Sequence, residues 1–301
     1  MTILLLTSRN CELVDRLVDT PDTIKDVVVV VHEEEIDLFK LQLRTFDTFL
    51  ESCNLHYIIN ETSTKKFKKA VQKDVVRITQ HKIRFWSRGE ILKCHPDIPG
   101  WSSQQLLKLL IPLPRDWIVF DCKDLLIRPV QLIDLDKIQR KDYIDLSLND
   151  PQGEFYQGLC DLTAQGKIIG SVDATKINMN QTPRVIDNRV IRKINEIFKT
   201  DQEFIDWFCT FKVQGEFILH DYIAQSLELA PKLRFPVGFI AGIWRQHNFD
   251  EFTFDMIPAT TCVYKCHRRV YNIEENRKIV DAWISKVIKT YTRYQNAING
   301  R

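Results

Sequence analysis

Five consecutive valines, at positions 27–31, constrain the fold of this chain more than any other feature. A β-branched run with no polar position suits a strand covered on both faces, which is how strands lie in a parallel sheet sandwiched between helices. His32-Glu-Glu-Glu35 follows, and then Ile36, Leu38, Phe39, Leu41, Leu43, Phe46, Phe49 and Leu50 at mixed spacings of three and four. That spacing predicts an amphipathic helix with carboxylates at its amino end, where the helix dipole favours them. Residues 56–59 read as the next strand, and residues 2–6 and 12–18 as an earlier strand and helix. The alternation predicts parallel crossover units, hence an α/β fold with a mostly parallel, Rossmann-like central sheet flanked by helices. Ligands bind such sheets beyond the carboxyl ends of the strands, so residues 7–11, 32–35 and 60–64 form the expected binding edge.

Further along, the basic segment 65–73 reads as a solvated helix face or loop, and residues 74–78 as a strand. Residues 104–111 read as a helix stopped by Pro112 and Pro114, since a proline disfavours the α conformation in the residue before it. Residues 117–120 form an apolar run of strand length, and Asp121 stands at its exit. A strand is expected at 142–148. Helices are expected at 155–162, 190–199, 202–210 and 215–229, and a long amphipathic one at 273–298. No repeat or low-complexity linker divides the 301 residues, so one domain is expected, with a nucleotide-binding half over about residues 1–134 and an acceptor-side half over 135–301.

A formal charge of +2 gives no whole-chain argument for a polyanion partner, which would need concentrated lysine and arginine. The eight cysteines are scattered in mostly apolar contexts, which suits buried thiols in a reducing, cytoplasmic setting. Met1-Thr-Ile-Leu-Leu-Leu6 has no basic flank and reads as a strand rather than a leader. No apolar run reaches the roughly 18 residues of a membrane span. Cys262-x-x-x-Cys266-His267 has no second ligand pair at zinc spacing and reads as a strand.

The chemistry-bearing stretch is Asp121-Cys-Lys-Asp124. Carboxylates at the ligand-bearing edge of a parallel sheet can hold Mg²⁺ or Mn²⁺ with a diphosphate, and they serve equally as turn residues bonded to local backbone. On the preceding helix Gln104 or Gln105 can share a face with Lys108. Arg128-Pro129 closes the acidic loop with a guanidinium able to bind a carboxylate or phosphate in two places.

Gly100-Trp-Ser-Ser-Gln-Gln-Leu-Leu-Lys-Leu109, Trp117-Ile-Val-Phe-Asp-Cys-Lys-Asp-Leu-Leu-Ile-Arg-Pro129 and Gly215-Glu-Phe-Ile-Leu-His-Asp-Tyr222 resemble the ordered blocks of a glycosyltransferase-like family of bacteria and phages, related to nucleotide-diphospho-sugar transferases of the GT-A fold. The resemblance spans roughly residues 2–225. It implies a GT-A-like fold and sugar transfer from a nucleotide-diphospho-sugar to a saccharide or small-molecule hydroxyl, with Mn²⁺ or Mg²⁺ at Asp121 and Asp124. It further implies donor contacts from Thr7, Arg9, His32, Gln105, Lys108, Asp121, Lys123 and Arg128, and a base or acceptor ligand at Glu216 or Asp221. The usual Asp-x-Asp is broken here by Lys123, so that either Asp124 reaches the metal through a reshaped turn or Lys123 supplies the positive charge itself. Two other readings stand beside this one: a phage enzyme acting on a hydroxymethylated base, with DNA as partner, and a non-catalytic nucleotide-sugar-binding or assembly protein.

Overall fold

In the computed structural model, which describes residues 25–61, 63–78, 80–93, 98, 100–132, 153–173, 177, 182–212, 215–229, 240–243, 257 and 261–299, the valine run lies in strand β1 (Asp26–Val31). The readings at 2–6, 12–18 and 142–148, and the candidates Thr7 and Arg9, lie outside these described residues. All five valines are buried. Val27, Val29 and Val31 enter one core, and Val28 and Val30 another, as the period of two of a strand requires. Each valine so buried contributes about 1.5–3 kcal/mol relative to exposure.

The chain continues through α1 (Ile36–Phe49), β2 (Asn54–Ile59), α2 (Lys65–Val75), β3 (Lys82–Ser87), α3 (Arg88–Ile91), α4 (Gly100–Leu110), β4 (Trp117–Asp121) and β5 (Asp124–Leu126). Then come α5 (Glu154–Ala164), β6 (Arg184–Ile186), α6 (Asn188–Ile197), α7 (Asp201–Cys209) and α8 (Glu216–Ser226). The last elements are β7 (Ile240–Ile243), β8 (Val263–Cys266), α9 (Arg268–Tyr271) and α10 (Glu274–Asn299).

The central sheet has the order β3-β2-β1-β4-β6, with β1 to β4 parallel and β6 antiparallel. β2 and β3 are laid to one side of β1, and β4 and β6 to the other. The winding therefore reverses between β1 and β4. A second sheet, β5-β8-β7, starts after a two-residue turn, Cys122-Lys123, at the end of β4, so it is built at the carboxyl edge of the first. One face of the central sheet packs on α1, α2, α10 and this small sheet; the other packs on α4 to α8. The expected class, a mostly parallel sheet flanked by helices, is the observed one.

Residues 74–78 are not a strand. Asp74 and Val75 close α2, because Phe67 and Val71, four residues apart, are both fully buried, and that helical spacing overrides the local β propensity of Val75, Val76 and Ile78. The lysines of residues 65–73 ride on the outer face of this helix. Among the described residues no helix is long and apolar enough to cross a membrane.

Candidate functional site

A crevice opens in a doubly wound sheet where the winding reverses. Here β1 runs into His32–Glu35 on one side of that point and β4 into residues 121–124 on the other. Strand alternation puts Asp121 on the face of Trp117 and Val119, toward α4 and α8.

Its Oδ1 lies 3.2 Å from Lys108 Nζ of α4, and its Oδ2 lies 2.9 Å from Lys123 Nζ. Thr182 Oγ1 also donates to Oδ2 at 3.1 Å. Asp124 is fully buried. Its Oδ1 lies 2.7 Å from Lys265 Nζ of β8, and its Oδ2 accepts the Asp121 amide at 2.8 Å. Lys265 Nζ donates to Thr182 Oγ1 at 2.7 Å and so closes the network.

The turn that carries these groups is pinned from both sides. Gln42, buried in α1, donates its Nε2 to the carbonyls of Asp121 and Asp124 at 2.7 and 2.9 Å. From the other side the Cys266 amide donates to the Lys123 carbonyl at 3.0 Å.

Burial alone would raise the Asp121 carboxyl, yet Lys108, Lys123 and Lys265 outweigh it and hold the group well below the ordinary carboxylate range. Burial would lower the Lys123 ammonium, but Asp121 and Asp124 outweigh it and hold it above the ordinary lysine value. Both groups are therefore charged at neutral pH.

Behind this network Phe217 of α8 presents its ring to two cations, with Lys108 Nζ 5.1 Å and the Arg184 guanidinium 4.8 Å from its centroid. Arg184 is ion-paired with Asp221. At the β1 and β2 exits Glu35 accepts from the His32 amide at 3.0 Å, and the Asn60 amide group reaches the Gly100 carbonyl at 3.1 Å. Ser103 Oγ donates to Asn60 Oδ1 at 2.9 Å. Burial, reinforced by the charge of Arg268, lowers the His32 imidazole, which is thus neutral at pH 7.

Of the residues expected at the site, Lys108, Asp121, Lys123 and Asp124 are brought together. Gln105 is buried on α4, one turn before Lys108, and His32 lies at the exit of β1, the strand beside β4. Asp221 is held by Arg184, and Glu216 is the first residue of α8. Arg128 is not part of the cluster. It lies beyond β5, and its Nε donates to the Thr261 carbonyl at 2.9 Å, near the end of the β5–β8 ladder opposite Asp124 and Lys265. Gln42, Thr182 and Lys265 belong to the site without having been expected there. The signal for Lys265 and Gln42 was present: a lysine inside Val263-Tyr-Lys-Cys266, and a glutamine between Leu41 and Leu43, each sit where burial demands a polar partner.

Mn²⁺ or Mg²⁺ between Asp121 and Asp124, as the Asp-x-Asp resemblance implies, does not fit these residues. Asp124 spends its two oxygens on Lys265 and a backbone amide, and both oxygens of Asp121 face ammonium groups. Among the described residues, no group of three or more His, Cys, Asp or Glu side chains is placed to hold a metal ion.

No protein-family profile and no curated protein sequence matches the chain. Among solved structures, it is similar to the galactosyltransferase LgtC in complex with donor and acceptor sugar analogs, at 11% identity and a TM-score of 0.46, over 88% of this chain and 95% of that one. Similarity also extends to the bifunctional glycosyltransferase WbbM, at 11% identity, a TM-score of 0.45 and coverage of 82% and 46%. The glycosyltransferase GlyE of Streptococcus pneumoniae is similar at 10% identity, a TM-score of 0.39 and coverage of 88% and 64%.

Proposed function

We propose that this chain is a GT-A-like glycosyltransferase that moves a sugar from a nucleotide-diphospho-sugar to a hydroxyl acceptor. One observation carries the reading: ammonium groups from two separate elements, Lys108 of α4 and Lys123 of the β4–β5 turn, converge on Asp121 at the switch point of the sheet. A switch-point crevice is where α/β sheets take nucleotides, and a leaving diphosphate needs positive charge as the bond to the anomeric carbon breaks.

In the reaction, the bond between the anomeric carbon and the β-phosphate oxygen breaks and its electron pair leaves with the nucleoside diphosphate. The acceptor oxygen forms the new bond and gives up its proton. Lys123 and Lys108 absorb the charge that grows on the leaving phosphate. His32, at the exit of β1, contacts the nucleoside, and Gln105 supports the lysine-bearing turn of α4. α8 abuts α4 through Phe217 and Lys108, and Glu216, the first residue of α8, is the group assigned to orient the acceptor or take its proton. Asp221, paired with Arg184, holds the α8 face of the site.

A thermal-shift screen with nucleoside diphosphates and nucleotide-sugars, followed by an assay for slow donor hydrolysis, tests the reading. Stabilisation by one nucleotide class together with release of its sugar is expected. A folded protein indifferent to every nucleotide would contradict it, and binding without any turnover would return the chain to the class of non-catalytic binding proteins.

A further inference from the structure

We infer that the donor diphosphate is gripped here by lysine ammonium groups, with Lys123 in direct contact and Lys108 behind it, rather than through a divalent cation. The inference rests on the donor reading above and concerns how the same site meets the charge of the diphosphate.

Three features of the turn carry it. First, the residue two positions after Asp121, where Asp-x-Asp would place a second acid, is Lys123, and its Nζ lies 2.9 Å from Asp121 Oδ2. The positive charge therefore comes from the chain at the place where a metal would have needed one more carboxylate. Second, the displaced acid is closed off. Asp124 is fully buried, with Lys265 Nζ at 2.7 Å on one oxygen and the Asp121 amide on the other. For it to reach a cation, Asp124 would have to give up both the Lys265 ammonium beside it in the β5–β8 ladder and the Asp121 amide. Third, the three lysines are graded in exposure: the side chains of Lys108 and Lys265 are each 5% exposed, and that of Lys123 is 24% exposed. Lys123 is thus the cation that a ligand in the crevice meets.

The charges support the same conclusion. Lys108, Lys123 and Lys265 set three ammonium groups against the carboxylates of Asp121 and Asp124. Asp121 and Asp124 act as counter-ions that hold the lysines in place. An ammonium has three N–H donors and can hold a carboxylate and a phosphate oxygen together. The turn is also preorganised: Gln42 binds the carbonyls at both of its ends, and Cys266 binds that of Lys123. Such fixed charge stabilises a developing anion without reorganisation at the moment of reaction.

Calorimetric titration of the full chain with the nucleoside diphosphates UDP, GDP, ADP and CDP tests this, run once in excess EDTA and once in MnCl₂. For the one that binds, the expected Kd agrees within about twofold between the two conditions, since nothing in the grip depends on the metal. Lys123→Met is expected to weaken binding in EDTA by about tenfold or more, the loss typical of one charge-assisted hydrogen bond. Lys123→Asp, which restores Asp-x-Asp, is expected to lose binding in EDTA and to recover part of it in MnCl₂. Urea melts of both variants check that they are folded, and the wild-type comparison stands even if neither is. Binding by the wild type only in MnCl₂ would overturn the inference and leave the donor reading intact. No binding of any nucleoside diphosphate under either condition would overturn the donor reading and this inference with it.

Discussion

At Lys123 and Asp121 two opposite shifts belong to one ion pair, and the pair makes a prediction about stability and pH. Asp121 is depressed in the folded chain, so its contribution is present above the unfolded carboxylate value of about 3.9 and is lost as pH falls through the lower folded value. Lys123 is raised, so its contribution is complete below the unfolded lysine value of about 10.4 and is lost as pH rises through the higher folded value. Unfolding free energies from urea melts of wild type and Lys123→Met should therefore differ by a constant amount, about 1–3 kcal/mol, between roughly pH 4 and pH 10. That difference should shrink in alkali; a difference that grew above pH 10 would contradict the pairing. Glu35 behaves in the opposite sense. Burial raises its carboxyl, so ionising it costs stability as pH rises through and above the ordinary carboxylate range. Glu35→Gln keeps a group able to accept the His32 amide and removes the buried charge. Its urea midpoint at pH 7 should equal or exceed that of wild type, and a marked loss there would show that the charge itself is needed.

Among the elements, the β4–β5 turn depends on a helix far from it in sequence. Gln42→Leu conserves volume in α1 and leaves the Asp121 and Asp124 carbonyls without their donor, so a loss of about 1–3 kcal/mol is expected in urea unfolding. Weaker nucleotide binding should accompany it, because the turn that carries Lys123 is then pinned from one side only; unchanged stability would show that the carbonyls find other partners. Gly158 of α5 makes a separate packing test. A Cβ there would lie 2.4 Å from Cζ of Phe211, so Gly158→Ala should cost about 1–3 kcal/mol of overpacking, more than the roughly 1 kcal/mol that alanine gains in a helix. Phe211→Leu in the same chain should return most of the loss in a double-mutant cycle. The elements themselves were largely legible in the sequence: the valine run, the spacing of α1, the two prolines after α4 and the apolar strand before Asp121 each announce a local preference that the tertiary structure keeps. Residues 74–78 misled because β-branched side chains favour strands only when packing does not decide, and Phe67 and Val71 had already committed that segment to a helix on α1.

Over the whole molecule the place where these candidate side chains gather was legible and the contacts among them were not. A parallel sheet with an acidic strand exit points to the carboxyl edge of β4, and Lys108, Asp121, Lys123 and Asp124 do assemble there. That Asp124 faces inward could not be read from residues 121–124, because Lys265 arrives from β8, Gln42 from α1 and Thr182 from the segment before β6. Arg128 was misplaced for the same reason: two residues past the end of β5, the chain has already left the cluster along the small sheet. The most direct test of the account is a crystal structure of the chain grown with the nucleoside diphosphate that binds it, in the presence of EDTA. The diphosphate should lie between the exits of β1 and β4, with a phosphate oxygen within hydrogen-bond distance of Lys123 Nζ and the nucleoside on the His32 side. Density for the nucleotide elsewhere, such as the open cleft lined by Glu154, Phe198, Trp207 and Phe211, would contradict it.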